Sequence, residues 1–116
     1  MKAVLLGALS AALFADGATA EQHDMTMDAE NLLTICTTAH PDAVGFCNGF
    51  MQAAHDWPGG DGLRVCAPSG TTRTQLAMLY ERQAPMLFAQ HPEAAIESQP
   101  AIIIARIILA GAFPCE

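Results

Sequence analysis

The sequence predicts an all-α fold, a small disulfide-stapled bundle of about four helices. Three observations lead to this prediction. Apolar residues recur at spacings of three and four in four separate segments, which is the period of a helix with one buried face. Stretches rich in Pro and Gly separate these segments. Four cysteines, an even number, occur in a chain of only 116 residues, which is typical of small exported domains held by disulfides.

The N-terminus carries the three parts of a secretory signal peptide. Lys2 gives a charged start, residues 3–15 are largely apolar, and Ala18-Thr19-Ala20 is the small-x-small site that a signal peptidase accepts. Asp16 closes the apolar stretch before it reaches the roughly 20 residues that a membrane span needs. We therefore predict a signal peptide at residues 1–20, cleaved after Ala20.

Cleavage at this point leaves 96 residues, enough for a single core. We expect a flexible tail at residues 21–27 and one helical domain at residues 28–116. The product would lie in the periplasm and would contain no membrane span.

The net charge excludes one class of partner. A nucleic-acid binder needs a cluster of Lys and Arg that neutralises phosphates. This chain has 5 basic residues against 12 acidic ones and a net charge of −7. We therefore expect no nucleic-acid partner.

The first two predicted helices lie on either side of His40-Pro41. The first follows the candidate caps Thr26 and Asp28, and its apolar positions are Ala29, Leu32, Leu33 and Cys36. Pro41 suits the first turn of the second helix, which ends near His55. Its apolar stripe consists of Ala43, Phe46, Cys47, Phe50, Met51 and Ala54. Gly45 and Gly49 lie one turn apart on a neighbouring face and predict the close approach of another backbone.

A loop separates the second helix from the third. Residues 57–62 read Trp-Pro-Gly-Gly-Asp-Gly and cannot continue a helix. The third helix begins after Thr72, where Gln75 completes a capping box. Pro85 lies inside its pattern and is expected to kink or end it, with a further turn or two before His91.

The last helix is predicted to be the core of the bundle. Ser98 is its candidate cap, and Pro100 would lie in its first turn. Residues 101–112 are aliphatic except for Arg106 and Gly111, so we expect the other helices to surround this one. Twelve residues cannot span a bilayer.

The cysteines predict two disulfides. They are Cys36, Cys47, Cys66 and Cys115. No C-x-x-C motif occurs, so neither a redox motif nor a zinc knuckle is indicated. Loop-closure entropy gives roughly 7–8 kcal/mol in total for any of the three connectivities, and it therefore does not choose between them.

No residue set points to catalysis. His55 and Asp56 adjoin at a helix end, and Ser69 lies nearby in the sequence. Residue types alone do not make a triad, and capping and solvent exposure explain these residues better. We therefore predict a protein that is not an enzyme and that needs no cofactor.

The N-terminus left by cleavage is a candidate metal site. The sequence there is Glu21-Gln22-His23. Its free amine, two backbone amides and the His23 imidazole could form a square-planar Cu(II) or Ni(II) site, and Met25 and Met27 follow as soft ligands suited to Cu(I). A copper-binding envelope protein is thus one alternative function.

Several short motifs occur in a characteristic order along the chain. The motifs are Cys47-Asn48-Gly49-Phe50-Met51, Asp56, Cys66-Ala67-Pro68-Ser69-Gly70-Thr71-Thr72, Gln75-Leu76, His91-Pro92-Glu93 and Ala112-Phe113-Pro114-Cys115. Together they resemble the Rap1a/Tai family, small exported helical proteins that include immunity proteins against type VI secretion amidase effectors. The resemblance covers about residues 29–116.

The resemblance implies a periplasmic inhibitor that covers the active-site cleft of a secreted cell-wall amidase. Inhibition of this kind needs only a rigid surface of complementary shape and charge, and the net −7 would steer association with a basic enzyme. We expect the contacts to come from Trp57, Asp61 and Leu63, where a large aromatic side chain adjoins glycines. Packing on the end of the second helix is the alternative for Trp57. A homodimer is also open.

A hairpin of the first two helices favours one of the possible cysteine pairings. Cys36 lies about one turn before the bend and Cys47 one to two turns after it, so their side chains could meet. Cys66 would then pair with Cys115. A bond between Cys47 and Cys115 stays open as well, because both belong to the motifs of the resemblance.

An acid-stress chaperone is the remaining alternative. The chain is similar in kind to HdeA-type periplasmic proteins, which expose apolar surface in acid. Its 4 His and 12 acidic residues would change the net charge greatly on acidification. Two disulfides would, however, restrict the opening that such a function needs.

Overall fold

The computed structural model describes residues 26–116 and contains four α-helices over that range. They are α1 (Ala29–Cys36), α2 (Pro41–His55), α3 (Arg73–Gln90) and α4 (Ala101–Ala112). Two short 3₁₀ helices, Pro92–Ala94 and Ile96–Ser98, connect α3 to α4. Each of the four α-helices packs against the other three, and residues 26–116 contain no β-strand. The predicted all-α bundle is confirmed.

Side-chain caps fix the starts of the first three helices. The Asp28 carboxylate accepts the backbone N–H of Asn31 at 2.8 Å, and the His40 ring accepts that of Asp42 at the start of α2. At α3 the capping box forms as predicted, with Thr72 and Gln75 each accepting the other's backbone N–H. Local sequence therefore determines where these helices begin.

Helix α3 runs through Pro85 without ending there. Proline removes one backbone donor, which leaves the carbonyl four residues earlier, that of Glu81, without its helical partner. Because Pro85 lies on an exposed face, water can satisfy that carbonyl. The prediction that Pro85 could end the helix was therefore wrong.

Helix α4 begins without the predicted Ser98 cap. Ser98 closes the second 3₁₀ helix, and Pro100 precedes α4 as its N-cap. The start of α4 pairs instead with the start of the described chain, since the N–H of Ala101 donates to the Met27 carbonyl at 2.8 Å. The Met27 side chain also packs against the core.

The core lies where the four helices meet. The largest fully buried side chains are Tyr80, Leu32, Met51, Leu109 and Cys47. The Tyr80 hydroxyl donates to the Ala29 carbonyl at 2.7 Å and so joins α3 to α1. Helix α4 supplies much of the core but is not surrounded, because Ile103 and Ile107 are 49% and 42% exposed.

Two disulfides cross-link the bundle. Cys36 pairs with Cys47 across the α1–α2 hairpin, and Cys66 pairs with Cys115, which is the arrangement that the hairpin argument favours. The second link closes the loop before α3 onto the C-terminus, where the N–H of Cys66 also donates to the Phe113 carbonyl.

The prediction for the two glycines of α2 was wrong. A side chain built at Gly45 or Gly49 would meet nothing within 4 Å. Within residues 26–116, no other backbone occupies the space beside either glycine.

Several predicted features lie outside the described residues. These are the signal peptide at residues 1–20, its cleavage after Ala20, and His23 and Met25 of the candidate metal site. Within residues 26–116, no group of three or more His, Cys, Asp or Glu is placed to hold a metal ion. No helix of that range is long and apolar enough to cross a membrane.

Candidate partner-binding site

The site is built around Arg106, a charged residue in the middle of the apolar helix α4. Its side chain is only 3% exposed. A charge at that depth is costly unless other groups surround it with hydrogen bonds and opposite charge. The groups that bind Arg106 therefore determine the conformation of the segment to which they belong.

Those partners all come from the end of α2 and the loop that follows it. The guanidinium donates to both carboxylate oxygens of Asp61, at 2.9 and 3.3 Å. It also donates to the carbonyl of Ala54 at 3.0 Å and to that of Leu63 at 3.0 Å. The Ala54 carbonyl belongs to the last turn of α2, where helical carbonyls lack intrahelical donors and a positive charge is favourable.

Arg106 thus holds residues 57–63, hereafter loop 57–63, through three contacts. Ala54 lies just before the loop, Asp61 lies within it and Leu63 is its last residue. The Asp61 carboxylate also accepts the backbone N–H of Leu63 at 3.0 Å, which closes a tight turn. These hydrogen bonds give the loop a defined shape although it contains no regular secondary structure.

The ion pair changes the acidity of Asp61. The hydrogen bonds from Arg106, then that from the Leu63 N–H, lower the pKa of this carboxyl from 3.8 to about 2. Asp61 is therefore charged throughout the neutral range and stays paired with Arg106.

Glycines allow the loop to take this shape. Gly59 and Gly60 have φ values of +101° and +97°, a region that side chains disfavour. The loop can therefore turn back toward α4 directly after Trp57-Pro58.

Trp57 is the large side chain that the loop presents to solvent. It is 48% exposed, and it lines a small cleft together with Ile102 and Ile103 of α4 and the Asp61–Arg106 pair. Trp57 thus lies beside α4 with about half of its surface free, and its role as a partner contact stays a prediction.

The other two predicted contact residues are placed differently. The Asp61 carboxylate is held by Arg106, with 30% of its side chain exposed, so it shapes the loop more than it offers a free charge. Leu63 is half-buried and contributes its backbone N–H and carbonyl to the same network. Of the three, Trp57 has the most accessible side chain.

The His-Asp pair does not extend to a triad. The His55 ring lies 2.7 Å from the Asp56 carboxylate, and both line a cleft together with Thr71 and Arg73. Ser69 instead lines a different cleft, formed with Phe113. Ser69, the candidate nucleophile, thus lines a different cleft from the His55-Asp56 pair that would act as its base.

The cleft that contains Ser69 has a volume of about 580 Å³ and lies between the loop before α3 and the C-terminal end of α4. Among residues 26–116, Arg82 is the one charged side chain that lines it. It therefore lacks the acid and base groups that hydrolytic catalysis uses.

Comparison with protein families identifies the chain. The family model described as Rap1a immunity proteins matches residues 28–115. The chain belongs to the Rap1a immunity protein family. No curated protein and no solved structure matches it. The predicted resemblance is therefore confirmed, over a range that includes all four helices, both disulfides and loop 57–63 of this Rap1a protein.

The role of Arg106 is what sequence reasoning missed in this Rap1a protein. The sequence interpretation treated Arg106 only as one of two exceptions in an otherwise aliphatic helix. A lone charge in an otherwise apolar helix signals a buried counter-ion. Without the fold, however, nothing in the sequence brings residue 106 next to residue 61.

Proposed function

We propose that this Rap1a protein is a periplasmic immunity protein that inhibits a peptidoglycan amidase effector of type VI secretion. Membership of an immunity family supports a protein effector as the partner. The amidase class, the periplasmic location and a mode of inhibition that covers the active site are our proposal. No catalytic group of the immunity protein is needed for such an inhibitor.

The observation that carries the proposal is the half-exposed Trp57 on a loop whose shape is fixed by Arg106. Protein interfaces gain most of their binding energy from a few anchor residues, among which Trp is enriched. An anchor on a pre-shaped loop loses little conformational entropy on binding. Loop 57–63 therefore has the two properties that a tight inhibitor needs.

Net charge supports the same partner class. The chain carries −7, and an enzyme that acts on the anionic cell wall benefits from a basic surface. Opposite net charges speed association, and this effect weakens with salt. The two disulfides link the helices at any pH, which favours a rigid inhibitor over a chaperone that opens in acid.

The test is binding and inhibition with a secreted amidase encoded beside this gene. The protein purified from the periplasm is expected to bind the amidase and to block cleavage of peptidoglycan peptides. Trp57→Ala should weaken binding by roughly 30- to 300-fold, as expected for a central anchor. Phe46→Ala is the matched control, because Phe46 is an equally exposed aromatic residue on α2.

Two results would contradict the proposal in different ways. Failure to bind any neighbouring amidase would remove the amidase as partner. Tight inhibition that survives Trp57→Ala would keep the immunity function and remove loop 57–63 as the contact.

A further inference from the structure

The cleft of about 580 Å³ that contains Ser69 includes no residue of loop 57–63, the proposed effector contact. Its volume falls in the range that small ligands and short peptides occupy. Its floor is one face of α3, because Gln75, Leu79 and Arg82 follow one another at helical spacings of four and three. We define the Ser69 cleft by the lining residues Ser69, Gln75, Leu79, Arg82 and Phe113.

Local interactions hold both walls of the Ser69 cleft in place. In the turn before α3, the Pro68 carbonyl accepts the backbone N–H and the hydroxyl of Thr71, at 3.1 and 2.7 Å. The opposite wall is tied to the same segment by the Cys66–Cys115 disulfide. The N–H of Cys66 also donates to the Phe113 carbonyl at 2.8 Å. The cleft is therefore formed before a ligand enters, so that binding orders little of the protein.

The polar side chains of the Ser69 cleft offer hydrogen-bond donors and one positive charge. The Gln75 side-chain oxygen already accepts the N–H of Thr72 at 2.8 Å, which leaves its NH₂ group to donate. The Ser69 hydroxyl is a further donor. The Arg82 guanidinium adds several more, and no carboxylate of residues 26–116 forms an ion pair with it. Donors around an uncompensated cation favour an anionic ligand.

The other side chains of the cleft indicate what this anion is attached to. Leu79 is buried and Phe113 is half-buried, and a bare inorganic anion would not cover their apolar surface. The uncharged polar groups of Ser69 and Gln75 suit the amide groups of a peptide, which a fatty acid lacks. A peptide C-terminus combines a carboxylate, apolar side chains and amides in one ligand.

We infer that the Ser69 cleft binds the free C-terminus of a peptide whose last residues are small and apolar. Arg82 binds the terminal carboxylate, Leu79 and Phe113 contact the side chains, and the Gln75 amide donates to a peptide carbonyl. In a chain of net charge −7, most of the surface repels a carboxylate, so the uncompensated Arg82 selects the place of binding. This inference does not rest on the proposed immunity function.

The experiment is an NMR titration of the isotope-labelled protein, purified from the periplasm, with N-acetyl-trialanine that has a free carboxylate. The backbone signals of Ser69, Gly70 and Gln75 are expected to shift. The same peptide with a C-terminal amide should bind about 10-fold more weakly or less, because it forms no charge-assisted hydrogen bond with Arg82. Peptides of L- and D-alanine distinguish a protein tail from a cell-wall peptide, and binding of either supports the inference.

Arg82→Met should weaken binding of the free carboxylate by about 10-fold or more. Arg64→Met is the matched control, because Arg64 is also exposed and lines a different cleft. Both variants change the net charge equally, and Arg64→Met should leave the affinity within about twofold of the wild type, since salt screens a distant exposed charge. Circular dichroism checks that both variants remain helical.

Four results would overturn the inference. The signals of Ser69 and Gln75 would stay unchanged up to the solubility limit of both peptides, or the amidated peptide would bind as tightly as the free carboxylate. Equal affinity of Arg82→Met and the wild type would remove Arg82 as the carboxylate site. Tighter binding of octanoate than of either peptide would assign the cleft to a fatty acid instead. None of these results bears on inhibition of an amidase, which is measured separately.

Discussion

Arg106 and Asp61 lie 45 residues apart in the chain and form a two-pronged ion pair at 2.9 and 3.3 Å. One partner is buried in the core helix and the other lies in loop 57–63. The pair therefore anchors loop 57–63, which has no regular secondary structure, to the packed core. Such a link keeps a loop stiff in a small protein, where few other contacts are available to hold it.

Removal of Arg106 should destabilise the protein more than removal of an exposed arginine. We expect Arg106→Met to lower the free energy of unfolding by about 2–3 kcal/mol, because two carbonyls lose their donor and Asp61 loses its counter-ion. Urea unfolding followed by circular dichroism measures this. Backbone amides of loop 57–63 should also exchange hydrogen faster, while those at the centre of α3 should not.

Arg82→Met is the matched control for Arg106→Met. Arg82 lies on the exposed side of α3, so its loss should change stability by no more than about 0.5 kcal/mol. Equal stability of the two variants would show that Arg106 does not hold the loop.

Asp61 should make stability depend on pH in the acid range. Its pKa is about 2 in the folded state against 3.8 in the unfolded chain, so the unfolded state binds the proton more tightly. The contribution of Asp61 is therefore complete above 3.8 and is lost as the pH falls toward 2. The stability advantage of the wild type over Asp61→Asn should shrink across that interval, as measured by urea unfolding at successive pH values.

A direct titration complements the comparison with Asp61→Asn. The carboxyl carbon of Asp61, followed by NMR, should titrate near 2 in the wild type. Arg106→Met removes the main cause of the lowered pKa, so the midpoint should move upward. A midpoint near 3.8 in the wild type, or a stability advantage that stays constant across the interval, would argue against the ion pair in solution.

Local patterns in the sequence were enough to predict most of the fold. The capping box of Thr72 and Gln75 and the Pro41 start of α2 depend only on neighbouring residues, so they could be identified without tertiary information. The bounds of α4 were predicted as well, but the interaction that holds its start was not. It depends on a backbone pairing with Met27, more than 70 residues earlier in the chain.

The candidate site was predicted only in part for the same reason. Trp57 and the glycines mark loop 57–63 in the sequence itself. The partner of Asp61 is set by how α4 packs on the end of α2, and periodicity does not reveal which turn of one helix meets a given loop. Periodicity likewise placed Ile103 and Ile107 in an apolar helix but could not show that about half of each side chain is exposed.

The two disulfides should differ in how readily they are reduced. Cys36 and Cys47 are 6% and 1% exposed, whereas Cys66 is exposed and Cys115 half-buried. Thiol-disulfide exchange needs access of the attacking thiolate to a sulfur atom. Mild reduction of the native protein, followed by alkylation and peptide mapping, should label Cys66 and Cys115 first.

The same labelling after unfolding in urea is the control for the reduction experiment. Both pairs should then react at similar rates, because burial no longer protects Cys36 and Cys47. Faster labelling of Cys36 and Cys47 in the native protein would mean that the α1–α2 hairpin opens more easily than the described packing implies.

Tyr80 should resist ionisation until the protein unfolds. It is the single tyrosine of the chain, it is fully buried, and burial raises the pKa of its hydroxyl. The unfolded state therefore loses the proton first, and the contribution of Tyr80 to stability, complete below the ordinary pKa of about 10, declines as the pH rises above it. Tyrosinate absorbance near 295 nm, recorded together with circular dichroism, should rise only when helicity falls.

Tyr80→Phe separates the hydrogen bond from the titration. At neutral pH this variant should be less stable by about 1 kcal/mol, because the Ala29 carbonyl loses its donor inside the core. Above pH 10 its stability should fall less steeply than that of the wild type, since no phenol remains to ionise on unfolding. A wild-type tyrosinate signal that appears near pH 10 while the helices remain intact would mean that water reaches Tyr80 in the folded state, and the link between α3 and α1 would then be looser than a 2.7 Å hydrogen bond requires.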